Sequence, residues 1–301
     1  MLIGIDVGGT NTSGGLAFED GKLAAIIRRQ TNRSGGSVAG LELIGEIIAE
    51  LAEQAEQQRS EVSCIGIGFG GPVDHERGVV LLSHHVPGWE GVPLREVVES
   101  RFGTRVALDN DANAGTLGEW KFGAGRGISD LIYVNIGTGI GGGIISGGRL
   151  VRGARNLAGE IGHTVVVRDG PPCTCGKRGC LETCASGDAI GRRASEAFAR
   201  PVSGKDLFTL AQENDPIARK VLDETLEDLA QGIGTAVSLL NPAAVIIGGG
   251  LSEAPERLFL EPLRRAVPRY CLAEAAQTLR IEAAQLRYDA GVVGAVALAL
   301  V

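Results

Sequence analysis

At 301 residues, with 44% hydrophobic and 22% charged residues, the chain has room for one large or two medium soluble domains. A net charge of −7 excludes the basic face that phosphate-backbone recognition requires, so no nucleic-acid partner is expected. The apolar tail at residues 291–301 is too short for a membrane span of about 20 residues, and Asp6 interrupts the first apolar run, so neither a membrane anchor nor a signal peptide is expected.

Aromatic residues make up only 4% of the chain, whereas there are 46 glycines. Aliphatic side chains must therefore build the core, and many turns must be tight or press closely on a neighbour. Six cysteines are present, four of them between 173 and 184. Without an export signal this pattern reads as metal binding, not as a disulfide framework, and it points to a cytoplasmic location.

The chain opens with Leu2-Ile3-Gly4-Ile5-Asp6-Val7-Gly8-Gly9-Thr10, followed by a second apolar run and then Asp20-Gly21-Lys22-Leu23. This reads as strand, glycine turn, strand, two-residue hairpin turn, strand. Residues 38–58 show helical apolar spacing at Leu41, Ile44, Ile47, Ile48 and Leu51. Residues 62–69 form a strand ending in Gly70-Gly71-Pro72, and residues 106–108 a short strand before Asp109-Asn110-Asp111. The opening pattern then returns. Leu131 to Ile136 leads into Gly137-Thr138-Gly139, then Ile144-Ile145, then Gly147-Gly148-Arg149-Leu150, at an offset of 129 residues at the first glycine and 127 at the closing leucine. Two matches in one order of elements indicate a duplicated architecture. A long helix at 218–240 ends at Asn241-Pro242, a strand at 244–247 runs into Gly248-Gly249-Gly250, and a helix is expected at 292–300.

Residues 137–142 and 66–71 both fit G-x-G-x-x-G after a strand. A dinucleotide fingerprint also needs a helix opening directly after the glycines. Gly143-Ile144-Ile145 reads as a strand and Pro72-Val73-Asp74 as a turn, so the Rossmann reading is rejected at both. No Walker-type P-loop sequence occurs either. Glycine hairpin turns can still present backbone N–H groups to phosphate oxygens, with Thr10, Asn11 and Thr138 as added donors. Asp6, at the end of the first strand, either holds Mg²⁺ through water or caps the turn.

The most specific pattern lies at 160–182: Glu160-Ile161-Gly162-His163, then Cys173-Thr174-Cys175-Gly176-Lys177-Arg178-Gly179-Cys180-Leu181-Glu182. His163, Cys173, Cys175 and Cys180 have the spacing of a closed Cys₃His zinc site, which is a structural type. Cys184 is read as a spare buried thiol, and Cys64 and Cys271 as core residues.

Taken together, these motifs resemble the ROK family (repressor, open reading frame, kinase) of sugar kinases along nearly the whole chain, closer to its bacterial glucokinase-like branch than to the fructokinase branch. The resemblance implies an α/β, actin-like (ribonuclease-H-like) ATPase fold of two lobes with a cleft between them. Residues 1–117 would form the small lobe, joined by the returning helix of 286–301, and residues 118–285 the large lobe with the zinc. Asp6 to Asn11, with Gly8, Gly9 and Thr10, looks like a first phosphate motif. Gly137, Thr138, Gly139 and Gly141 look like the second, and Gly249 with its neighbours resembles the adenosine motif.

The implied reaction moves the γ-phosphoryl group of Mg·ATP to the 6-hydroxyl of glucose. Asp111 is the implied base; at its ordinary pKa of about 3.9 it would be ionised at pH 7 and would orient the hydroxyl and accept its proton late. The alternative for Asp111 is a helix N-cap, although Asp109 is also placed to be that cap. Gly70, Gly71, Asn110, Asp111, Glu160, His163 and Glu182 are the residues implied to bind sugar. N-acetylglucosamine, N-acetylmannosamine, mannose and fructose are alternative substrates. The family also includes sugar-sensing repressors, which carry an added helix-turn-helix region. Here the first phosphate strand opens at Leu2, so none is expected. A homodimer is the family-level expectation.

Overall fold

A computed structural model describes residues 1–83 and 86–301. Two compact units emerge from it: Met1–Gly127 with Leu150–Ala158 and Tyr288–Val301, and Ile128–Arg149 with Gly159–Arg287.

The first unit begins with β1 (Leu2–Val7), β2 (Asn11–Ala17) and β3 (Leu23–Gln30), an antiparallel meander. Helix α1 (Gly36–Gln57) follows, then β4 (Cys64–Phe69), a small hairpin of β5 (Val73–Asp74) and β6 (Val79–Val80), α2 (Leu94–Phe102), β7 (Val106–Asn110) and α3 (Asp111–Phe122). Strands β4 and β7 join parallel to β1, giving the sheet order β3-β2-β1-β4-β7.

The second unit repeats this plan. β8 (Leu131–Ile136), β9 (Ile140–Ser146) and β10 (Arg149–Leu150) precede a run of helices: α4 (Leu181–Ala185), α5 (Gly187–Phe198), α6 (Gly204–Gln212) and α7 (Pro216–Leu240). Then come β11 (Ala244–Gly248), α8 (Leu260–Ala266), α9 (Ala273–Thr278) and β12 (Arg280–Ala283). The order β10-β9-β8-β11-β12, with β11 parallel to β8 and β12, matches the first sheet strand for strand. The sequence duplication is therefore a duplication of sheet topology. Helix α10 (Ala290–Leu298) belongs to the first unit.

Period-2 alternation decides what each face of the first sheet meets. Ile3 and Ile5 are wholly buried in one cluster with Ile44, Ile47 and Leu51 of α1. Gly4 and Gly66 face the other way, where a side chain would strike Val292, Val296 and Ala295 of α10. These two glycines let α10 lie directly on the sheet. Asp6 shares the face of Gly4 and so meets the first turn of α10.

Several expectations are refined. The boundary placed at 117/118 falls inside α3; that helix stays whole in the first unit, which runs on to Gly127 and also takes in 150–158. Residues 72–74, read as a turn, begin the β5–β6 hairpin. Helix α7 is capped by Asp215 with Pro216 in its first turn and ends in left-handed Asn241, as the Asn-Pro signal required. Among the described residues, no helix is long and apolar enough to cross a membrane.

Candidate functional site

In the first unit, Asp6 is the penultimate residue of β1, and the turn Gly8–Asn11 carries the chain into β2. Gly8 N–H closes that turn on Asn11 O at 3.0 Å. Gly70 follows β4, its N–H bonded to Val7 O at 2.8 Å. A Cβ there would press on Val7 O at 3.1 Å and lie 3.7 Å from Asp111 Oδ2, so Gly70 sits directly beside that acid. Asn110 ends β7 and Asp111 opens α3.

The cap of α3 is Asn110, not Asp109. Asn110 Oδ1 accepts from Ala112 N at 2.8 Å and Asn113 N at 3.3 Å, while its Nδ2 donates to Gly71 O at 3.2 Å. Asn110 thus ties the Gly70-Gly71 turn to the helix that begins with Asp111. Asp109 points inward and is wholly buried. Its Oδ1 accepts from Asn113 Nδ2 at 2.8 Å and Asn110 N at 2.8 Å, and its Oδ2 from Arg152 Nε at 2.7 Å. Nothing local in the sequence marks Arg152.

Asp6 and Asp111 stand close enough for their charges to interact. Desolvation of the enclosed Asp6 carboxyl, and then the charge of Asp111, push the Asp6 pKa up to about 7. Two carboxylates that oppose each other's ionisation are suited to a hard cation with oxygen ligands, and Mg²⁺ fits that donor set. Gly291, also unmarked in the sequence, completes this corner. A Cβ there would lie 2.3 Å from Asp6 Oδ2, so only glycine lets the helix approach the acid so closely.

In the second unit, Gly137, Thr138 and Gly139 form the turn from β8 to β9, and Gly141 lies in β9 opposite Asn135. Strand β9 follows the glycines where a Rossmann fold would place a helix. The second glycine turn is braced by Gly187 N–H, the first residue of α5, which donates to Gly137 O at 2.8 Å. Gly249, at φ +77°, follows β11 and lies so close to β8 that a Cβ would be 2.4 Å from Ile136 O.

Glu160, His163 and Glu182 belong to the same unit. His163 Nε2 lies 3.9 Å from Glu160 Oε2. Its Nδ1 faces the other way, 3.5 Å from Cys173 Sγ. Glu182 Oε2 accepts from Ile140 N at 3.1 Å, and so rests on the second glycine turn.

One ligand atom each from His163, Cys173, Cys175 and Cys180 lies within 4.8 Å of the others. Cys175 and Cys180 sulfurs are 3.6 Å apart. Tetrahedral zinc with Zn–S bonds of about 2.3 Å needs sulfurs about 3.8 Å apart, so the set fits Zn²⁺. The knuckle forms because Gly176 and Gly179 adopt positive φ; a Cβ on Gly179 would fall 1.7 Å from Val167 O. Burial and the two neighbouring cysteines push the Cys180 thiol up to about 12, a cost that a bound cation would relieve by stabilising the thiolate. Cys180 also precedes α4, whose second residue is Glu182, so a metal there anchors the helix bearing that acid. Cys184 is buried in the core of the second unit, with its pKa raised by burial. Cys64 is buried in the core of the first, and Cys271 is half-buried.

The chain is 39% identical to the glucokinase of Thermotoga maritima, over 99% of this chain and 96% of that protein. It is similar to the crystal structure of a ROK hexokinase from Thermus thermophilus, with a TM-score of 0.87, 36% identity and 99% and 97% of the two chains covered. It is also similar to a ROK family glucokinase from Streptomyces griseus in complex with glucose and AMPPNP, with a TM-score of 0.85, 36% identity and 99% of each chain covered. The family model described as "ROK family" matches residues 2–301, and the chain belongs to the ROK family.

Proposed function

We infer that this chain is an ATP-dependent glucokinase, transferring the γ-phosphoryl group of Mg·ATP to the 6-hydroxyl of glucose. The observation that carries the reading is the Asp6–Asp111 pair, set at the carboxyl ends of parallel strands beside the Gly8–Asn11 and Gly70-Gly71 turns. A carboxylate against an unobstructed glycine turn suits a base that orients a hydroxyl.

The roles divide by unit. In the first, Asp111 accepts the 6-hydroxyl proton as the sugar oxygen bonds to the γ-phosphorus and the bond to the β,γ-bridging oxygen breaks, releasing ADP. Asp6 would hold Mg²⁺ through water, and that ion would neutralise phosphate charge when bound. N–H groups of the Gly8–Asn11 turn and the turn at Gly137, Thr138 and Gly139 receive phosphate oxygens, with Gly141 and Gly249 shaping the nucleotide side. Glu160, His163 and Glu182 accept and donate hydrogen bonds to sugar hydroxyls, with Asn110, Gly70 and Gly71. His163, Cys173, Cys175 and Cys180 would hold zinc as a structural ion that fixes Glu182, outside the transfer itself.

The reading includes a cytoplasmic homodimer acting on small molecules, without a nucleic-acid or membrane partner. The charge of −7 supports the absence of a phosphate-backbone surface. Light scattering coupled to size exclusion tests the dimer.

The decisive experiment is a coupled assay of ADP release with glucose, mannose, N-acetylglucosamine, N-acetylmannosamine and fructose. Glucose should give the highest kcat/KM. Asp111→Ala should lower turnover about 10²–10⁴-fold while glucose binding remains measurable. Absence of ADP release with every sugar refutes the kinase reading, and substantial turnover in Asp111→Ala moves the base elsewhere.

A further inference from the structure

The three residues after β3 lie outside every motif singled out in the sequence. In the structure, Thr31 and Arg33 take up the carbonyls of the first glycine turn one after another. Thr31 Oγ1 donates to Gly8 O at 2.8 Å, Arg33 Nε to Gly9 O at 2.5 Å, and Thr31 N to Thr10 O at 2.9 Å. Arg33 Nη2 also donates to Thr10 Oγ1 at 2.8 Å. Asn32 holds the segment in shape by accepting from Gly35 N at 3.1 Å and Ser34 Oγ at 2.9 Å.

A trans peptide carries its C=O and the following N–H on opposite sides. Fixing the carbonyls of Gly8, Gly9 and Thr10 toward Thr31 and Arg33 therefore aims the N–H groups of Gly9, Thr10 and Asn11 the other way. A loose glycine turn would present carbonyl lone pairs to a phosphate part of the time, and those repel it. Because Thr10 Oγ1 accepts from Arg33, its own proton is left to donate elsewhere.

The charge of Arg33 also bears on the turn. Its neighbours Arg28 and Arg29 are paired with Asp289 and Glu50. Among the described residues, Arg33 has no carboxylate partner. It borders an open depression of about 710 Å³ with Thr10, Gln30, Thr31, Asn32 and Ser34. A guanidinium has five donors in a fixed fork, and two of them already grip the turn.

We propose that Arg33 is the positioning residue of the first phosphate turn: it locks the Gly9, Thr10 and Asn11 amides toward the nucleotide phosphates and adds an uncompensated positive charge at that turn. The proposal rests on the kinase reading for its ligand, and its test does not need turnover. Affinity for Mg·AMPPNP is measured by calorimetry for the wild type, Arg33→Ala, Arg33→Lys and Thr31→Val, alongside glucose affinity and the melting temperature of each.

Arg33→Ala should weaken Mg·AMPPNP about tenfold or more, as expected for loss of charge-assisted hydrogen bonds, and leave glucose affinity within about twofold. Arg33→Lys keeps the charge without the fork and should recover less than half of that loss, whereas added methylguanidinium should restore part of the affinity of Arg33→Ala. Thr31→Val should shift the same affinity in the same direction by a smaller factor. Unchanged Mg·AMPPNP affinity in Arg33→Ala overturns the proposal, as does an equal loss of glucose affinity. A wild type that binds Mg·AMPPNP but phosphorylates no sugar would refute the kinase reading and leave this comparison intact.

Discussion

Arg152 and Asp109 form an ion pair at the core of the first unit, Nε to Oδ2 at 2.7 Å, with the Asp109 side chain wholly buried and that of Arg152 25% exposed. The pair fixes the junction between β7 and α3, where Asn110 and Asp111 are presented. Arg152 lies in the nine residues Leu150–Ala158 that leave the second unit within β10 and return to it at Gly159, one residue before Glu160. The same chain segment that leads to one proposed sugar ligand thus neutralises the acid beneath the proposed base.

Arg152→Ala leaves Asp109 buried without its cation. A cost of about 3–5 kcal/mol is expected from such a change. Urea unfolding measures it. The double variant Arg152→Ala/Asp109→Asn should be less destabilised than Arg152→Ala alone, since the orphaned charge is gone. A single variant within about 1 kcal/mol of the wild type would mean that other groups compensate Asp109.

The features readable from sequence are those whose determinants are local. The duplication was legible because each strand, glycine turn and strand follows directly in the chain, and the zinc set because four ligands fall within eighteen residues. That Asn110, and neither Asp109 nor Asp111, caps α3 was not legible: all three residue types favour the place, and strand pleat turns the Asp109 side chain inward. Thr31 and Arg33 reach the glycine turn only because the β2–β3 register sets Asn11 opposite Gln30. Arg152 and Gly291 meet their partners across 43 and 285 residues of chain, which no periodicity encodes.

The Asp6 carboxyl, raised to about 7 by its enclosure and then by Asp111, makes stability depend on pH with a defined sign. Its pKa in the unfolded chain is about 3.9, so between about pH 4 and 7 the native state holds the proton more tightly. This contribution is fully present below the unfolded value and is lost as pH rises through 7. Metal-free protein should therefore lose this increment of stability across that window, and Asp6→Asn should not. The readout is the difference in slope of unfolding free energy against pH between the two proteins; identical slopes would show that Asp6 does not titrate there. Mg²⁺ requires the ionised acid, so its binding should tighten with rising pH up to about 7 and release a proton below it. Asp111→Asn removes the second cause of the shift and should move that plateau to lower pH.

Zinc removal should act on the sugar before it acts on the nucleotide. Cys180 directly precedes α4, and Glu182 is the second residue of that helix. Elemental analysis should find one zinc per chain. Chelation, or Cys175→Ser, should raise KM for glucose at least about tenfold, in line with the loss of a ligand that orients a binding group. KM for ATP should change less. Full activity in a preparation shown to be metal-free would rule out zinc as the support of Glu182.

Gly139 and Glu182 are packed so that one methyl group separates a working turn from a displaced acid. A Cβ at 139 would sit 2.4 Å from Glu182 Oε2, the oxygen that accepts from Ile140 N. Gly139→Ala must push the carboxylate off the turn and leave the Ile140 N–H without it. Because this one bond joins the second glycine turn to a proposed sugar ligand, the variant should raise KM for both ATP and glucose. A combined loss in kcat/KM of at least about tenfold is expected from breaking a charge-assisted bond. Gly191→Ala in α5 is the matched control: its Cβ meets nothing closer than 3.8 Å, and alanine there should stabilise the helix by about 0.5–1 kcal/mol without changing either KM. If Gly139→Ala changes KM for ATP alone, Glu182 serves only to brace the phosphate turn, and its proposed contact with sugar falls.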